Sequence, residues 1–265
     1  MYNPSPAGWN FQFLMNDLIP KFSKIKIFLL DLFFPKFCLG CKKEGTYLCD
    51  DCRALLDIAE FDYCLCGTKP IRLASLAQGK PQGKCQRCQN KKLSGLYAAL
   101  PYKEKQLTRK LIYQFKYQPY LKDLAKTLAS ILVEHFVVSG KNNDEIWDNG
   151  VLIPIPLDRK KLKIRGYNQA EELAKELSKI LQIPVISENL VKVKFTKPQM
   201  ELSKEEREEN LKGVFILKNP SAIAQGKIFL VDDVYTTGST MEECTKILKD
   251  YGAKQVWGIV IAREE

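Results

Sequence analysis

Apolar positions along this chain switch repeatedly between two periods. Short apolar runs at Leu96–Tyr102, Val151–Ile155, Val214–Leu217, Ile228–Val231 and Val256–Ile261 predict buried strands. A strand covered on both faces has no side left to carry polar residues. Between these runs the spacing changes to three and four, as in Ala170, Leu173, Ala174, Leu177, Ile180 and Leu181, which predicts a helix. Similar spacing predicts helices over Gln106–Phe115, over Ala125–Val138, and after Gly238 through Leu248. If that last segment is no more than a turn and a capped helix, Ser239 or Thr240 is its cap. Ser139–Gly150 reads as a polar loop. Strands alternating with helices predict an α/β fold over 93–265, a mainly parallel sheet with helices on both faces. Residues 1–37 read as an amphipathic helical segment, and 38–92 as a separate Cys-rich module.

Composition changes this picture little, and charge changes it more. The chain has 265 residues, 45% hydrophobic and 27% charged, with a formal charge of +10. The excess of cations is denser in the first 100 residues, which favours anionic partners such as nucleic acids, phosphates or membrane surfaces. The apolar stretch Ile25–Phe37 is interrupted by Lys26, Asp31 and Pro35. It falls short of the ~18–20 residues that span a bilayer, and no small-residue cleavage pattern follows it. The expectation is a cytoplasmic protein with no transmembrane span.

Eight of the nine cysteines lie between positions 38 and 88, in four pairs: Cys38 and Cys41, Cys49 and Cys52, Cys64 and Cys66, Cys85 and Cys88. Close pairs on short turns place thiolates at the corners of a tetrahedron, which suits structural zinc. A disulfide framework would require an oxidising compartment, for which there is no leader. The expectation is two zinc sites in a double zinc ribbon. Sequential pairing, with 38, 41, 49 and 52 in one site and 64, 66, 85 and 88 in the other, needs the shorter excursions. Interleaving would also close two sites. Cys244, inside a predicted helix, reads as a packing residue.

Chemistry concentrates in Ile228–Met241, IFLVDDVYTTGSTM. A buried run leads to Asp232 and Asp233, then to Val234, Tyr235, Thr236, Thr237, Gly238, Ser239 and Thr240, then to a helix. Loop N–H groups at a helix N-terminus can cradle a phosphate, and carboxylates at a strand end can accept from vicinal ribose hydroxyls. This order resembles the phosphoribosyl-pyrophosphate (PRPP) motif of type I phosphoribosyltransferases. A strand and a capped helix alone would explain the hydroxyl residues but not the acidic pair. A second cluster follows Pro154: Arg159, Lys160, Lys161, Lys163 and Arg165 put five cations within seven residues, read as a loop able to face pyrophosphate. The segment Thr108–Lys122 interleaves Lys110 and Lys116 with Tyr113 and Tyr117, a composition suited to single-stranded nucleic acid. An amphipathic helix with Leu111 and Phe115 in the core explains part of it equally well.

Together these pieces resemble the ComF family. The resemblance is carried by Phe34-Pro35 before the first cysteine pair, the LIYQFKY segment, RGYNQA (Arg165–Ala170), VDDVYTTGSTM and a string with Gln199, Leu202, Ser203, Arg207 and Asn210. Within that string Ser203 and Glu206 have capping-box spacing. The resemblance implies a type I phosphoribosyltransferase fold preceded by two structural zinc sites. It also implies PRPP bound with Mg²⁺ and a role in handling single-stranded DNA during uptake, alongside other uptake proteins at the inner membrane. Catalytic roles would then fall to Asp232, Asp233 and Arg165, with Pro154 also at the PRPP site. The alternative is an active phosphoribosyltransferase of nucleotide metabolism without a DNA role. Two departures matter. Cys64-Leu-Cys66 is C-x-C where the family more usually has C-x-x-C. Position 236 is Thr where transferases for 6-oxopurines carry a basic Asp, which argues against that salvage reaction. The single histidine, His135, lies in an apolar helix and reads as a surface or packing residue.

Overall fold

The computed structural model describes residues 35–65, 70–71, 84, 88–102, 106–141, 144–193, 213–223 and 226–264. Cys66, Cys85, nearly all of the N-terminal segment, and the string from Gln199 to Asn210 lie outside the described residues. Two compact units divide the chain between Ala54 and Leu55.

In the first unit, Phe37 and Glu44 form an antiparallel bridge, and a short helix, α1 (Asp50–Ala54), follows the second cysteine pair's first member. In the second unit, β1 (Asp62–Tyr63) and β2 (Pro70–Ile71) pair antiparallel. The central sheet is built from β3 (Gly95–Tyr102), β4 (Gly150–Pro154), β7 (Lys227–Tyr235) and β8 (Gln255–Glu264), in the order β3-β8-β7-β4. All three pairings are parallel. Beyond β4 the chain at Val185 bridges Leu152 in parallel, with Leu152 N donating to Pro184 O at 2.9 Å.

Burial follows the pleat. Ile228, Phe229, Leu230 and Val231 are all 0% exposed. Alternate residues of a strand face opposite sides. Ile228 and Leu230 share a core with Met241, Cys244 and Leu248 of the helix α7 (Ser239–Asp250). Phe229 instead meets Trp147 of α4 (Asp144–Trp147), ring centroids 4.9 Å apart. On that second face Tyr97 stacks on Trp257 at 5.1 Å and meets Phe136 of α3 (Leu124–Val138) edge-on. Helices thus cover both faces, which is why the middles of the sheet strands are apolar and their charged residues lie toward the ends. The remaining helices are α2 (Leu107–Lys116), α5 (Arg159–Arg165) and α6 (Gln169–Leu181).

Four local expectations are corrected. The apolar run at 214–217 gives β6 (Phe215–Leu217), which pairs antiparallel with β5 (Leu190–Lys192) outside the main sheet. Its Ile216 is exposed between buried Phe215 and Leu217, so only one face is covered. Ser139–Gly150 is not wholly loop, because α4 brings buried Trp147 to the sheet. The cation run 159–165 is helical: Asp158 caps it by accepting from Lys160 N at 2.9 Å, and Gly166 ends it at φ +81°. None of its residues is buried, so no apolar period marked it. The N-cap of α7 is Gly238 rather than a hydroxyl residue. His135 proves a packing residue, fully buried, with Nδ1 2.6 Å from Ala59 O; burial pulls its pKa below the ordinary value. Cys244 is likewise fully buried.

Candidate functional site

The acidic pair sits inside β7, three and two residues before its end, and this makes its two members unequal. Successive strand residues point to opposite faces. Asp233 is 3% exposed and its Oδ1 pairs with Lys116 Nζ at 3.0 Å, while its Oδ2 is buried without a hydrogen-bond partner among the described residues. Asp232 is partly buried, and its Oδ1 accepts from Asp233 N at 2.8 Å. Burial pushes the Asp232 carboxyl up, to about 8, the adjacent Asp233 adding to the effect and Lys116 opposing it. Burial pulls the Lys116 ammonium down, but Asp233 and then Asp232 outweigh it and hold it above the usual lysine range. Lys116 can balance only one of the two carboxylates, so ionising Asp232 beside Asp233 calls for a further cation or hydroxyl donors.

The loop beyond is a helix N-terminus. Gly238 takes φ +77°, a conformation costly for any residue with a Cβ. Thr237 Oγ1 and Ser239 Oγ lie 2.9 Å apart, and Ser239 N donates to Thr237 Oγ1 at 3.4 Å. Thr236 is exposed and Thr237–Thr240 are partly exposed, so the loop is reachable from solvent. It lies at the carboxyl ends of parallel strands, where open α/β sheets bind ligands.

RGYNQA proves to be an anchoring motif. Arg165 donates to Gln169 Oε1 and stands over the Tyr117 ring at 5.8 Å. Tyr167 Oη donates to Phe115 O at 2.6 Å. Asn168 caps α6 by accepting from Ala170 N at 3.1 Å and donates to Ile155 O at 3.0 Å, just past Pro154. Asn168 therefore fixes the segment after β4 and Tyr167 the end of α2, while Gln169 holds Arg165 within the motif. Turn chemistry was legible there; these partners were not. Lys116, expected with the nucleic-acid residues, is brought instead to Asp233. Lys110 is exposed, and the exposed rings of Tyr113 and Tyr117 lie 4.9 Å apart.

In the first unit the sulfurs of Cys38, Cys41, Cys49 and Cys52 all lie within 4.8 Å of one another. Tetrahedral Zn–S bonds of about 2.3 Å need sulfurs about 3.8 Å apart, so the set fits a zinc ion and follows the sequential pairing. Cys49 N donates to Cys38 Sγ at 3.4 Å, as in a metal-binding knuckle. Burial works against the Cys38 thiolate, but N–H groups of Cys49, Cys41 and Gly40 outweigh it and bring its pKa to about 6. Burial first, and then its three neighbours, push Cys52 up to about 12. A divalent cation removes that conflict. Of the second set, Cys64 and Cys88 are buried with sulfurs 3.2 Å apart.

Residues 164–264 match the family model for a phosphoribosyl transferase domain. Competence protein F of Haemophilus influenzae is 37% identical over 155 residues, covering 57% of this chain and 67% of that protein. The DNA utilization protein YhgH of Salmonella typhi is 28% identical over 222 residues, covering 79% and 95%. A purine phosphoribosyltransferase structure from Pyrococcus horikoshii aligns over 54% of this chain and 72% of that chain, at 20% identity and a TM-score of 0.31, too weak a likeness to carry weight. Similarity to Competence protein F over two thirds of its length decides the membership: this chain belongs to the ComF family, and its larger unit contains a type I phosphoribosyltransferase-like domain.

Proposed function

We propose that the chain binds PRPP at the end of β7 and, in the ComF setting, handles single-stranded DNA. The observation that carries the first part is the partly exposed carboxyl of Asp232 near the carboxyl end of β7, which leads into the solvent-reachable loop Thr236–Thr240. A ribose hydroxyl can donate to that carboxyl. The 5′-phosphate then rests on Thr236–Thr240, and the pyrophosphate faces Pro154 and Arg165. Arg165 offers a planar fork to a developing phosphate charge. Magnesium, bound with the ligand, supplies further charge neutralisation there. A further positive charge there would favour the ionised form of Asp232 beside Asp233.

Calorimetry tests this reading. Mg²⁺–PRPP should bind the native protein, and the double variant Asp232→Ala/Asp233→Ala should show no measurable binding; unchanged affinity in that variant rejects the site. The pH profile carries a second check. A carboxyl titrating near 8 is mostly protonated at neutral pH, and the ionised form is the better hydroxyl acceptor. Affinity should therefore rise roughly fivefold to tenfold between pH 7 and pH 8.5, and Asp232→Asn should flatten that rise. Pyrophosphate release with an added acceptor would extend the reading to turnover.

The DNA part rests on the exposed Tyr113–Tyr117 pair with Lys110, and on relatives named for competence and DNA utilization. Tyr117 is 49% exposed, so a base can reach its ring. Stacking on such a ring contributes about 1–3 kcal/mol per base. Anisotropy titrations should show salt-dependent binding of single-stranded DNA, weakened at every salt concentration by Tyr117→Ala. No binding at low salt would leave only the PRPP function. Zinc at Cys38, Cys41, Cys49 and Cys52, and at a second site formed by Cys64, Cys66, Cys85 and Cys88, is structural in this reading. Among the described residues, no helix is long and apolar enough to cross a membrane.

A further inference from the structure

We infer that the turn at Cys64–Leu65 and the segment just after Cys88 form a positioning element for the phosphate loop. Loop order, and with it phosphate-ligand binding, is thereby coupled to the state of the Cys64–Cys88 thiol pair. The ligand half of this inference rests on the PRPP reading; the loop half does not.

The contacts converge from three directions. Tyr235, the last residue of β7, forms the floor of the loop: a Cβ at Gly238 would lie 2.1 Å from its hydroxyl oxygen. That hydroxyl donates to Leu65 O at 3.2 Å. Lys91 Nζ donates to the same carbonyl at 3.1 Å and to the Tyr235 hydroxyl at 3.3 Å, closing a triangle. Arg263, 4% exposed, donates through a guanidinium nitrogen to Cys64 O. Its guanidinium carbon also stands 5.4 Å from the ring centres of both Tyr63 and Tyr235. From the other side, Glu242 in the first turn of α7 accepts from Lys92 N and, at 3.2 Å, from Leu93 N.

Two adjacent carbonyls, of Cys64 and Leu65, therefore hold the tyrosine on which Gly238 rests. Cys64 and Cys88 are 5% and 1% exposed, and Leu65 is 2% exposed, so the turn cannot shift without disturbing its packing. A phosphate cradle works only while its N–H groups keep their aim, and supporting contacts set that aim. Ligation of the two sulfurs fixes the carbonyls; covalent modification of either sulfur displaces them. By linkage, a ligand that orders the loop must in turn protect the thiols.

Two measurements on the full chain test this. The first is amide exchange over Thr236–Glu242, which needs no ligand. Tyr235→Phe removes only the hydroxyl, and Lys91→Met only the ammonium; each should raise loop exchange at least fivefold while β8 stays protected, and Lys91→Arg should restore it. Unchanged loop exchange in both deletions overturns the inference. The second is residue-resolved maleimide labelling in the presence of a zinc-selective chelator. Mg²⁺–PRPP should slow labelling of Cys64 and Cys88 several-fold in the native protein but not in Tyr235→Phe. Equal labelling with PRPP shown to be bound overturns the ligand half. A native protein that binds no PRPP fails the functional reading instead, and the exchange measurement still decides whether the Cys64–Leu65 turn and Lys91 position the loop.

Discussion

Removing metal from Cys38, Cys41, Cys49 and Cys52 is expected to unfold residues 35–54 and leave the parallel sheet intact. The described part of that unit holds a five-residue helix, a bridge and few buried side chains. A core so small does not offset the entropy of ordering its chain. Metal ligation in such modules supplies folding free energy on the order of 10 kcal/mol. The second unit has its own two-faced core and no need of that contribution. Chelation, or Cys38→Ser, should abolish amide protection in 35–54 while a cooperative melt of 55–265 persists. Elemental analysis finding less than one zinc per chain, with 35–54 still protected, would refute the metal site.

The next largest effect belongs to Lys116→Ala. This substitution strands Asp233 as a buried charge, and breaking a buried pair from one side typically costs 3–5 kcal/mol. Lys116 is 24% exposed along its side chain, so water softens the loss. The expected destabilisation is at the lower end, about 3 kcal/mol. Asp233→Asn removes the charge that makes the loss costly, so the double variant Lys116→Ala/Asp233→Asn should recover most of it. Denaturant melts of the two single variants and the double variant measure the coupling. Additive losses would mean that the ion pair contributes nothing of its own.

Much of this architecture was legible in the sequence because burial on both faces leaves an unbroken apolar run, as at Ile228–Val231. The helix α6 was legible because one buried face repeats at 3.6 residues. The helix α5 was not, since all its residues reach solvent and its signals are a capping Asp158 and a left-handed Gly166. The phosphate loop and the acidic pair were visible as residue types in order. Their inequality was not, because it depends on strand register carried two residues beyond the expected strand end. Lys116 illustrates the limit most sharply: its neighbours in sequence are aromatic and cationic, while its partner lies 117 positions away. The partners of Tyr167 and Arg263 lie 52 and 199 positions away, and nothing local announces them.

Gly95 and Trp257 face each other across β3 and β8, register partners in the parallel ladder. A Cβ at Gly95 would lie 2.1 Å from the indole ring. The indole lies flat there, stacked on Tyr97 with 6° between the ring planes. These positions therefore cannot drift separately in evolution. A side chain can appear at 95 only where 257 has first become small, and an intermediate with neither ring nor side chain opens a cavity beside Tyr97. The sheet's history should thus read as paired exchanges at these two sites, with each lineage keeping one bulky member and one bare backbone.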